Sequence, residues 1–321
     1  MSAKSFLVTG AQGCIGSWVI RNLLDLGHDV TAFDLDERPI RLSLLLTQQE
    51  LNQVHSVAGD ICDMVFIREL IEKRSITHII HLAGLMTPDC KARPILGATV
   101  NMLGTLTIFE VAKMYKGQVR CVSYASSAAV MGSEDQFETL PVPDTAQRIP
   151  ATLYGVFKMT TEELARIYWQ DEGIRSVGLR PPVVYGPGRD KGLTAGITMA
   201  IRAAVLGEDY EIGFGGTANM AFADDVAKGF VHCALKEPTG APAFNMLGEI
   251  LEVDRMIDII RELIPSKSRI SSIEKPNPMV NRVDDSGIQA LIGPFARTSF
   301  REGAVRTAGF YHRLLDEGRL R

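Results

Sequence analysis

A glycine-rich turn after an apolar run is the feature that most constrains this chain. Phe6-Leu7-Val8 precedes glycines at positions 10, 13 and 16, and apolar residues then recur at helical spacing until Gly27. A strand, a glycine turn and a helix N-terminus let a backbone approach a pyrophosphate closely. The alternative is an ordinary βα turn that uses glycines for geometry only. The dinucleotide reading predicts contacts from Gly10, Gln12, Gly13, Cys14, Ile15 and Gly16.

Residues that follow the next predicted strands extend this site. Asp34 ends the second candidate, where a carboxylate accepts hydrogen bonds from both adenosine ribose hydroxyls and repels a 2′-phosphate. This favours NAD, although Arg38 is near enough in sequence to accommodate that phosphate. Asp60 and Ile61 are expected at the adenine, with helix capping as the alternative for Asp60. Small residues let a cofactor cross the sheet edge at Leu82, Ala83 and Gly84.

Tyr154 and Lys158 are four residues apart in a segment of helical character, so they share one helix face. Tyrosine has a reference pKa of about 10. A lysine ammonium and a positive nicotinamide beside it favour the phenolate and lower that pKa, as a proton acceptor in hydride transfer requires. Lys158 is also placed to hold the nicotinamide ribose. Ser126 and Ser127 follow a strand candidate and are placed to orient the substrate oxygen, with turn formation or a helix cap as the alternative.

Strand and helix patterns alternate over the first 180 or so residues. Strands are predicted at 6–9, 29–33, 54–58, 78–82, 120–125 and 176–180, mostly apolar as in parallel strands buried on both faces. This predicts an α/β fold, a Rossmann-type doubly wound parallel sheet with a smaller C-terminal substrate-binding lobe. The predicted NAD-binding domain covers 1–180 plus about 218–245. The predicted substrate-binding lobe covers about 181–217 plus 246–321.

Composition argues against several partners. The 321-residue chain has a net charge of −4 and no Lys/Arg cluster, which gives no footprint for nucleic acid. We expect no membrane partner, since no uninterrupted apolar stretch reaches the ~18 residues of a membrane span. Five scattered cysteines without a Cys-x-x-Cys motif suit reduced thiols in a cytoplasmic protein. His78 and His81 are expected on opposite faces of one strand, so no metal site is predicted.

These segments together resemble the extended short-chain dehydrogenase/reductase family, also called the NAD-dependent epimerase/dehydratase family. The resemblance runs from Phe6 to about Leu235 and more loosely through the C-terminal segment. The matching elements, in order, are residues 9–16, 34, 60–61, 81–84, 101, 126–132, 154–158, 180–187 and 224–227.

The resemblance implies an enzyme that uses NAD, and it assigns roles by position. Ser127 would be the catalytic serine, Tyr154 the acid/base and Lys158 its electrostatic partner. Asn101 would hold the strand–helix geometry behind the active site. The family also tends to form dimers through a helix pair, which implies a homodimer. The implied cofactor contacts also include Asn101, Pro181 and Val183.

The chain departs from the family pattern at substrate positions. Members that act on nucleotide sugars commonly carry asparagine in place of Val183 and arginine just before the strand where this chain has Ala218-Asn219-Met220. Both groups would serve the substrate diphosphate, the arginine as a bidentate clamp, so their absence argues against a nucleotide sugar. Ala128 and Ala129 replace the acidic residues of dehydratases, and Met131 replaces a usual tyrosine.

Two reactions stay open, because the same catalytic residues serve both. The first is NAD-dependent oxidation of a small sugar, sugar acid or related polar substrate. The second is epimerisation of a sugar or nucleotide sugar, in which the hydride returns to the opposite face and NAD stays bound. A non-catalytic NAD sensor is disfavoured, since the serine, tyrosine and lysine are all present. Expected substrate contacts are Met86, Ser126, Ser127, Arg189, Lys191 and Thr194, the last three with a solvated loop as the alternative.

Overall fold

A computed structural model describes residues 3–192, 194–277, 279–294 and 297–320. Its strands are β1 Ser5–Thr9, β2 Asp29–Asp34, β3 Val54–Ala58, β4 His78–His81, β5 Cys121–Ala125, β6 Ser176–Arg180, β7 Val183–Tyr185, β8 Tyr210–Ile212, β9 Thr217–Phe222, β10 Ala243–Asn245, β11 Glu249–Glu252 and β12 Ile270–Ser272.

The α-helices in the same ranges are α1 Cys14–Asp25, α2 Leu42–Leu45, α3 Gln48–Leu51, α4 Met64–Lys73, α5 Thr87–Ala92, α6 Pro94–Ala98, α7 Gly104–Met114, α8 Leu153–Glu172, α9 Gly196–Leu206, α10 Ala223–Lys236, α11 Val253–Leu263, α12 Ser286–Ile292 and α13 Phe300–Asp316. A π-helical turn, Thr99–Leu103, joins α6 to α7. Short 3₁₀ turns lie at Ala128–Val130 and Glu134–Gln136.

The larger lobe is built on a parallel sheet in the order β10-β6-β5-β4-β1-β2-β3, seven strands within the described residues. All six predicted strands are present, each to within one residue at either end, and β10 is a further strand. The strand order reverses at β1, which lies between β2 and β4. Ligands of doubly wound sheets bind at this reversal, beyond the carboxyl ends of the strands. The predicted fold class is confirmed.

Two apolar layers cover this sheet, one on each face. On one face α1 and α10 pack together, with Val19, Ile20 and Phe230 fully buried. On the other face α4, α7 and α8 bury Ile71 and Phe109 with their neighbours. Because both faces are covered, the strand interiors read as apolar runs in the sequence.

The smaller lobe has its own apolar cluster, built from β7, β9 and β11 with α9, α11 and α13. The predicted boundary near residue 218 falls inside β9, which pairs with β7 and β11 of this lobe. The chain then returns to the large sheet through α10 and β10. Part of the C-terminal segment also returns, because Ile288 of α12 is buried in the cluster of the larger lobe.

The segment Pro94–Met114 is long and apolar enough to cross a membrane by length and composition, which the sequence reading overlooked. It forms α6, the π-helical turn and α7. Threonine and asparagine interrupt its apolar residues, so the sequence shows no continuous run. Half of the segment is buried inside the protein. Core helices of globular proteins pass the same test, so it is weak evidence for a membrane span.

Candidate active site

A cleft of about 850 Å³ lies at the carboxyl edge of the large sheet, between the two lobes. It collects most residues predicted for the cofactor and the substrate. The predicted residues that line it are Gly10, Gln12, Gly13, Cys14, Ile15, Gly16, Asp34, Asp60, Ile61, Leu82, Ala83, Gly84, Met86, Ser126, Ser127, Tyr154, Lys158, Pro181, Arg189, Lys191 and Thr194.

The glycine turn fits against the end of β4 because it lacks side chains. Gly10 has φ +68°, and a Cβ there would lie 2.6 Å from the Ala83 nitrogen. A Cβ on Gly16 would overlap with the Gly10 carbonyl. Glycine at these two positions therefore brings α1 against β1. The first N–H groups of α1 have no intrahelical acceptor and belong to cleft-lining residues, which suits an anion such as a pyrophosphate.

Asp34 closes the turn from the end of β2. One carboxylate oxygen accepts a hydrogen bond from the Gln12 N–H at 2.8 Å, and the other accepts one from the Leu35 N–H at 2.8 Å. Each oxygen keeps a further lone pair for a ribose hydroxyl. Arg38 is an exposed partner of Asp36 and does not line the cleft. Its predicted alternative role at a 2′-phosphate therefore has no support in the geometry.

Asp60 lies at the rim of the cleft, and its alternative role as a helix cap is not what the structure shows. Its carboxylate accepts a hydrogen bond from the Cys62 N–H at 2.9 Å, which forms a local turn. The N-cap of α4 is Asp63 instead, whose side chain accepts from the Phe66 N–H. Ile61 is buried beside Gly104, where any side chain would collide with it.

The catalytic candidates meet because α8 begins directly against the turn after β5. Thr152 caps α8 by accepting the Gly155 N–H at 3.0 Å. Gly155 then contacts the 3₁₀ turn so closely that a Cβ would overlap with the Ala129 carbonyl. This contact puts Tyr154 beside Ser127 at the wall of the cleft. The arrangement matches an acid/base next to a hydroxyl that orients a substrate oxygen.

Lys158 lies one helical turn beyond Tyr154, buried at the floor of the cleft. Its Nζ donates to the Ala125 carbonyl at 2.7 Å and lies 5.8 Å from the centre of the Tyr154 ring. Burial lowers the pKa of Lys158 to about 8. Burial raises the pKa of Tyr154, while the hydrogen bond from Ser127 and the charge of Arg189 oppose that rise. The net shift for Tyr154 in the protein itself is upward, opposite to the prediction, which also invoked the positive nicotinamide.

Ser126 has a different role from the one predicted. It is almost fully buried, and its hydroxyl donates to Glu162, one turn beyond Lys158 on α8. Arg180 at the end of β6 holds the same carboxylate through two hydrogen bonds, at 2.7 and 2.8 Å. The hydroxyl of Ser126 therefore belongs to a buried ionic network behind the site, and Ser127 faces Tyr154.

This network was missed by the sequence reading. Arg148 binds Glu162 at 3.1 Å, and Arg180 also donates to the Asp144 carbonyl at 2.9 Å. Burial raises the pKa of Asp144 to about 6. The available signal was the helical spacing, because Tyr154, Lys158 and Glu162 fall on one face at intervals of four.

Two residues predicted at the cofactor do not line the cleft. Asn101 is buried in the π-helical turn, where its Nδ2 donates to the Gly97 carbonyl at 2.9 Å and the Leu85 carbonyl at 3.2 Å. That matches its expected structural role behind the site. Val183 is buried beside Met220 in the cluster of the smaller lobe, because alternate residues of a strand face opposite sides. Its neighbour Val184 lines the cleft instead.

His78 and His81 point to different neighbours, as expected for opposite faces of β4. His78 Nε2 lies 3.0 Å from Glu237 Oε1, whereas His81 Nδ1 lies 2.7 Å from Thr9 Oγ1. Among the described residues, no group of three or more His, Cys, Asp or Glu side chains is arranged to hold a metal ion. The five cysteines are free thiols.

The chain is similar to known proteins in both its sequence and its fold. The sequence pattern of the NAD dependent epimerase/dehydratase family matches residues 6–246. The chain belongs to this family. It is an NAD-dependent enzyme of the extended short-chain dehydrogenase/reductase type, as the resemblance implied. NAD fits the residues present, because the turn at Gly10 and the carboxylate of Asp34 offer its pyrophosphate and ribose their expected partners.

Similar proteins include several that are named for sugar epimerisation. The chain is 35% identical over 187 residues to UDP-glucuronate 4-epimerase 6 of Arabidopsis thaliana, covering 57% of this chain and 40% of that protein's length. It is 27% identical over 319 residues to UDP-glucose 4-epimerase of Mycolicibacterium smegmatis, covering 95% and 97%. The fold matches UDP-glucose 4-epimerase of Thermus thermophilus in complex with NAD, with a TM-score of 0.82, 21% identity and coverage of 96% and 99%.

Replacing Asp34 with alanine is expected to weaken NAD binding by about 10- to 100-fold, the effect of losing charge-assisted hydrogen bonds. NADP should be used better relative to NAD, because the negative charge that repels its 2′-phosphate is gone. Asp34→Asn is the matched control for turn geometry, since its amide oxygen still accepts from the Gln12 N–H. Titration of both cofactors by fluorescence checks this, and an unchanged preference in both variants removes Asp34 from the cofactor site.

Proposed function

We propose that this enzyme epimerises a sugar, carried as a nucleotide sugar, through an internal redox cycle with tightly bound NAD. The observation that carries the proposal is a similarity, because the grouping of Tyr154, Ser127 and Lys158 in the cleft serves net oxidation equally well. The relative from Mycolicibacterium smegmatis, which matches almost end to end, is named for this reaction. The similar proteins support epimerisation better than net oxidation of a small sugar, which is the first of the two reactions considered above.

The residues at the cleft have separable tasks in this reaction. Ser127 orients the substrate oxygen, and Tyr154 takes the hydroxyl proton and later returns it. The Lys158 ammonium favours the phenolate form of Tyr154 through its charge. Bound NAD would supply the acceptor for the hydride of the carbinol carbon and the donor for its return. We propose that residues of the smaller lobe, with Arg189, Lys191 and Thr194, hold the remainder of the substrate.

The proposal is tested by the fate of NAD. Purified protein is passed through gel filtration, and its cofactor is released with acid and quantified. Near-stoichiometric NAD, together with conversion of UDP-glucose to UDP-galactose without net NADH, is the expected result. Protein that loses NAD on the column, reloads readily and forms NADH in step with substrate contradicts epimerisation.

A second candidate, net dehydrogenation of a small sugar or sugar acid, is favoured by one observation. Val183 stands where nucleotide-sugar enzymes commonly carry asparagine, and the stretch Ala218-Asn219-Met220 stands where they commonly carry arginine just before the strand. Val183, Ala218 and Met220 are buried in the apolar cluster of the smaller lobe, and the Asn219 side chain is bonded to Asn281 and Gly248. These positions therefore offer a diphosphate no cationic group. The NAD experiment separates the two reactions, because only the dehydrogenase accumulates NADH.

We also propose a homodimer through the outer face of α6, the π-helical turn and α8. Its exposed apolar side chains include Ile95, which is 83% exposed, with Leu103, Leu153, Val156 and Ile167. The family resemblance implied a helix-pair dimer, and exposed apolar patches of this kind mark interfaces. A second copy of this chain is the proposed occupant. A cytoplasmic location stays a prediction.

Ile95→Glu combined with Ile167→Glu is expected to convert the dimer to a monomer of 35.1 kDa. Each copy would contribute two unpaired carboxylates to the interface, and burying an unpaired charge is costly. Light scattering coupled to gel filtration measures the mass. Val305→Glu, at a half-exposed apolar position on α13, is the control and should remain a dimer. Wild-type protein that is monomeric at micromolar concentration contradicts the interface.

A further inference from the structure

Arg189 places a guanidinium in the cleft without a carboxylate partner among the described residues. Its Nη1 donates to the Met86 sulfur at 3.5 Å and its Nη2 to the Thr194 hydroxyl at 3.3 Å. Its Nε is buried and has no hydrogen-bond partner. Nearby Arg41, in contrast, binds Asp190 at 2.6 Å and two backbone carbonyls. Arg189 therefore keeps a charge and a donor to spare for a ligand.

This charge acts at the reacting end of the cleft. It lowers the pKa of Tyr154, although burial outweighs it, and it also lowers the pKa of Cys14, whose burial is again the larger influence. Its partner Met86 lies two residues beyond Gly84, where an added Cβ would be 3.4 Å from the Lys158 Nζ. An anionic group held by Arg189 would lie near the carbon that Tyr154 serves.

Asn277 is a second unpartnered group, contributed by the smaller lobe. It is 8% exposed, and neither its amide oxygen nor its amide nitrogen has a hydrogen-bond partner, yet it lines the same cleft. Its backbone is tied down, because the Asn277 N–H donates to the Gly215 carbonyl at 3.3 Å. A buried amide without partners costs about 1–3 kcal/mol. A cleft wall that keeps such a group is explained by a ligand that satisfies it.

We propose that Arg189 and Asn277 form a substrate-recognition subsite for an acidic sugar or sugar nucleotide. Arg189 binds an anionic oxygen group, a carboxylate or a phosphate, close to the reacting carbon. Asn277 binds a neutral group that both donates and accepts, such as a hydroxyl or an amide. Arg189 would supply the anion recognition that the apolar, buried side chains of Val183 and Ala218 do not provide. This subsite rests on the proposed function, because it assumes that the substrate reacts at Tyr154.

Equilibrium binding to the NAD-loaded protein tests Arg189, with calorimetry as the readout. Three probes separate the sources of the anion: D-glucuronate carries a carboxylate, UDP-glucose a diphosphate, and UDP-glucuronate both. Arg189→Met is expected to weaken the probes that carry the recognised anion by about 10- to 100-fold, as loss of a charge-assisted pair predicts. Arg189→Lys should recover part of the affinity, because the charge remains without the bidentate fork.

Each result decides the role of Arg189. Loss confined to the two glucuronate probes assigns the carboxylate, and loss confined to the two UDP probes assigns the diphosphate. Unchanged affinity for all three probes, a wild type that binds none of them, or a loss of NAD affinity alone overturns the proposal. Arg269→Met is the matched control, since the Arg269 side chain is 82% exposed and should leave binding unchanged. Binding does not depend on the course of the reaction, so failure of epimerisation is seen separately in the NAD experiment.

Asn277→Leu separates recognition from a structural role. Removing a buried amide that has no partner should leave the melting temperature unchanged or raise it, because no internal hydrogen bond is lost. Binding of the same probes should weaken by about tenfold, the value of one hydrogen bond. A lower melting temperature with unchanged affinity would show that Asn277 supports the fold and would remove it from the subsite.

Discussion

Tyr154→Phe is expected to lower turnover by about 10²–10⁴-fold, the usual effect of removing a positioned acid/base. The ring still fills its place in the first turn of α8, so NAD should stay bound. In the wild type, oxidation should speed up as the pH rises, because the phenolate is the form that accepts the proton. The variant should lose that dependence. Turnover, its pH profile and acid-released NAD are the three measurements.

Tyr168→Phe is the matched control for this experiment. Tyr168 lies on the same helix, but its hydroxyl donates to Glu110 outside the cleft. The control should keep wild-type turnover. Wild-type turnover in Tyr154→Phe would instead remove the tyrosine from the reaction and leave Ser127 without its proposed partner.

Glu162→Gln is expected to lower the free energy of unfolding by about 3–5 kcal/mol, the range for breaking a buried ion pair by removing one partner. Glu162 and Arg180 are both almost fully buried. The neutral amide would leave the guanidinium of Arg180 without a compensating charge. Urea denaturation measures the change. Turnover should fall as well, because a neutral amide oxygen accepts the Ser126 hydrogen bond more weakly than the carboxylate that holds the end of β5 beside Ser127.

The pH dependence of this effect has a definite sign. Burial raises the pKa of Glu162, but Arg180, Ser126 and Arg148 together hold it below its usual 4.5. A carboxylate with a lowered pKa in the folded state stabilises the protein above its unfolded pKa and loses that contribution as the pH falls through the folded one. The stability difference between wild type and variant should therefore be full at neutral pH and shrink in acid.

Glu163→Gln is the control for the buried pair. Glu163 is the next residue on α8, and it is more exposed, paired with Arg148 and Arg166. The same substitution there should cost no more than about 1 kcal/mol, as for exposed ion pairs. Equal losses in the free energy of unfolding from Glu162→Gln and Glu163→Gln would contradict the argument that burial decides the size of the effect.

The sequence predicted what depends on local pattern. The strands and the glycine turn were predicted because apolar periodicity and missing side chains act over a few residues. The pairing of Tyr154 with Ser127 was predicted only through spacing and family resemblance. The strand-end position alone left Ser126 and Ser127 open as the catalytic serine, and the resemblance assigned Ser127.

The remaining features depend on contacts between distant segments. Glu162 and Arg180 meet because α8 packs across the end of β6, and neither residue is distinctive by itself. Asn277 reaches the cleft from a turn more than a hundred residues after the catalytic helix. Its significance comes from burial without a partner, which exists only in three dimensions. The upward pKa shift of Tyr154 likewise depends on solvent exclusion that no spacing reveals.

The seating of α8 on the turn at Ala129 has a consequence for how this active site can evolve. Gly155 lies between the tyrosine and the lysine, and its hydrogen atom is what allows the helix to rest on the Ala129 carbonyl. The distance between the substrate hydroxyl and the Tyr154 phenol, here called the gap, is therefore set by the main-chain contact between Gly155 and Ala129. Substitutions at exposed positions on the outer face of α8 would leave that gap unaltered. A methyl group at position 155 would displace α8 from the Ala129 carbonyl and move Tyr154 with it. Glycine at position 155 therefore keeps Tyr154 in place.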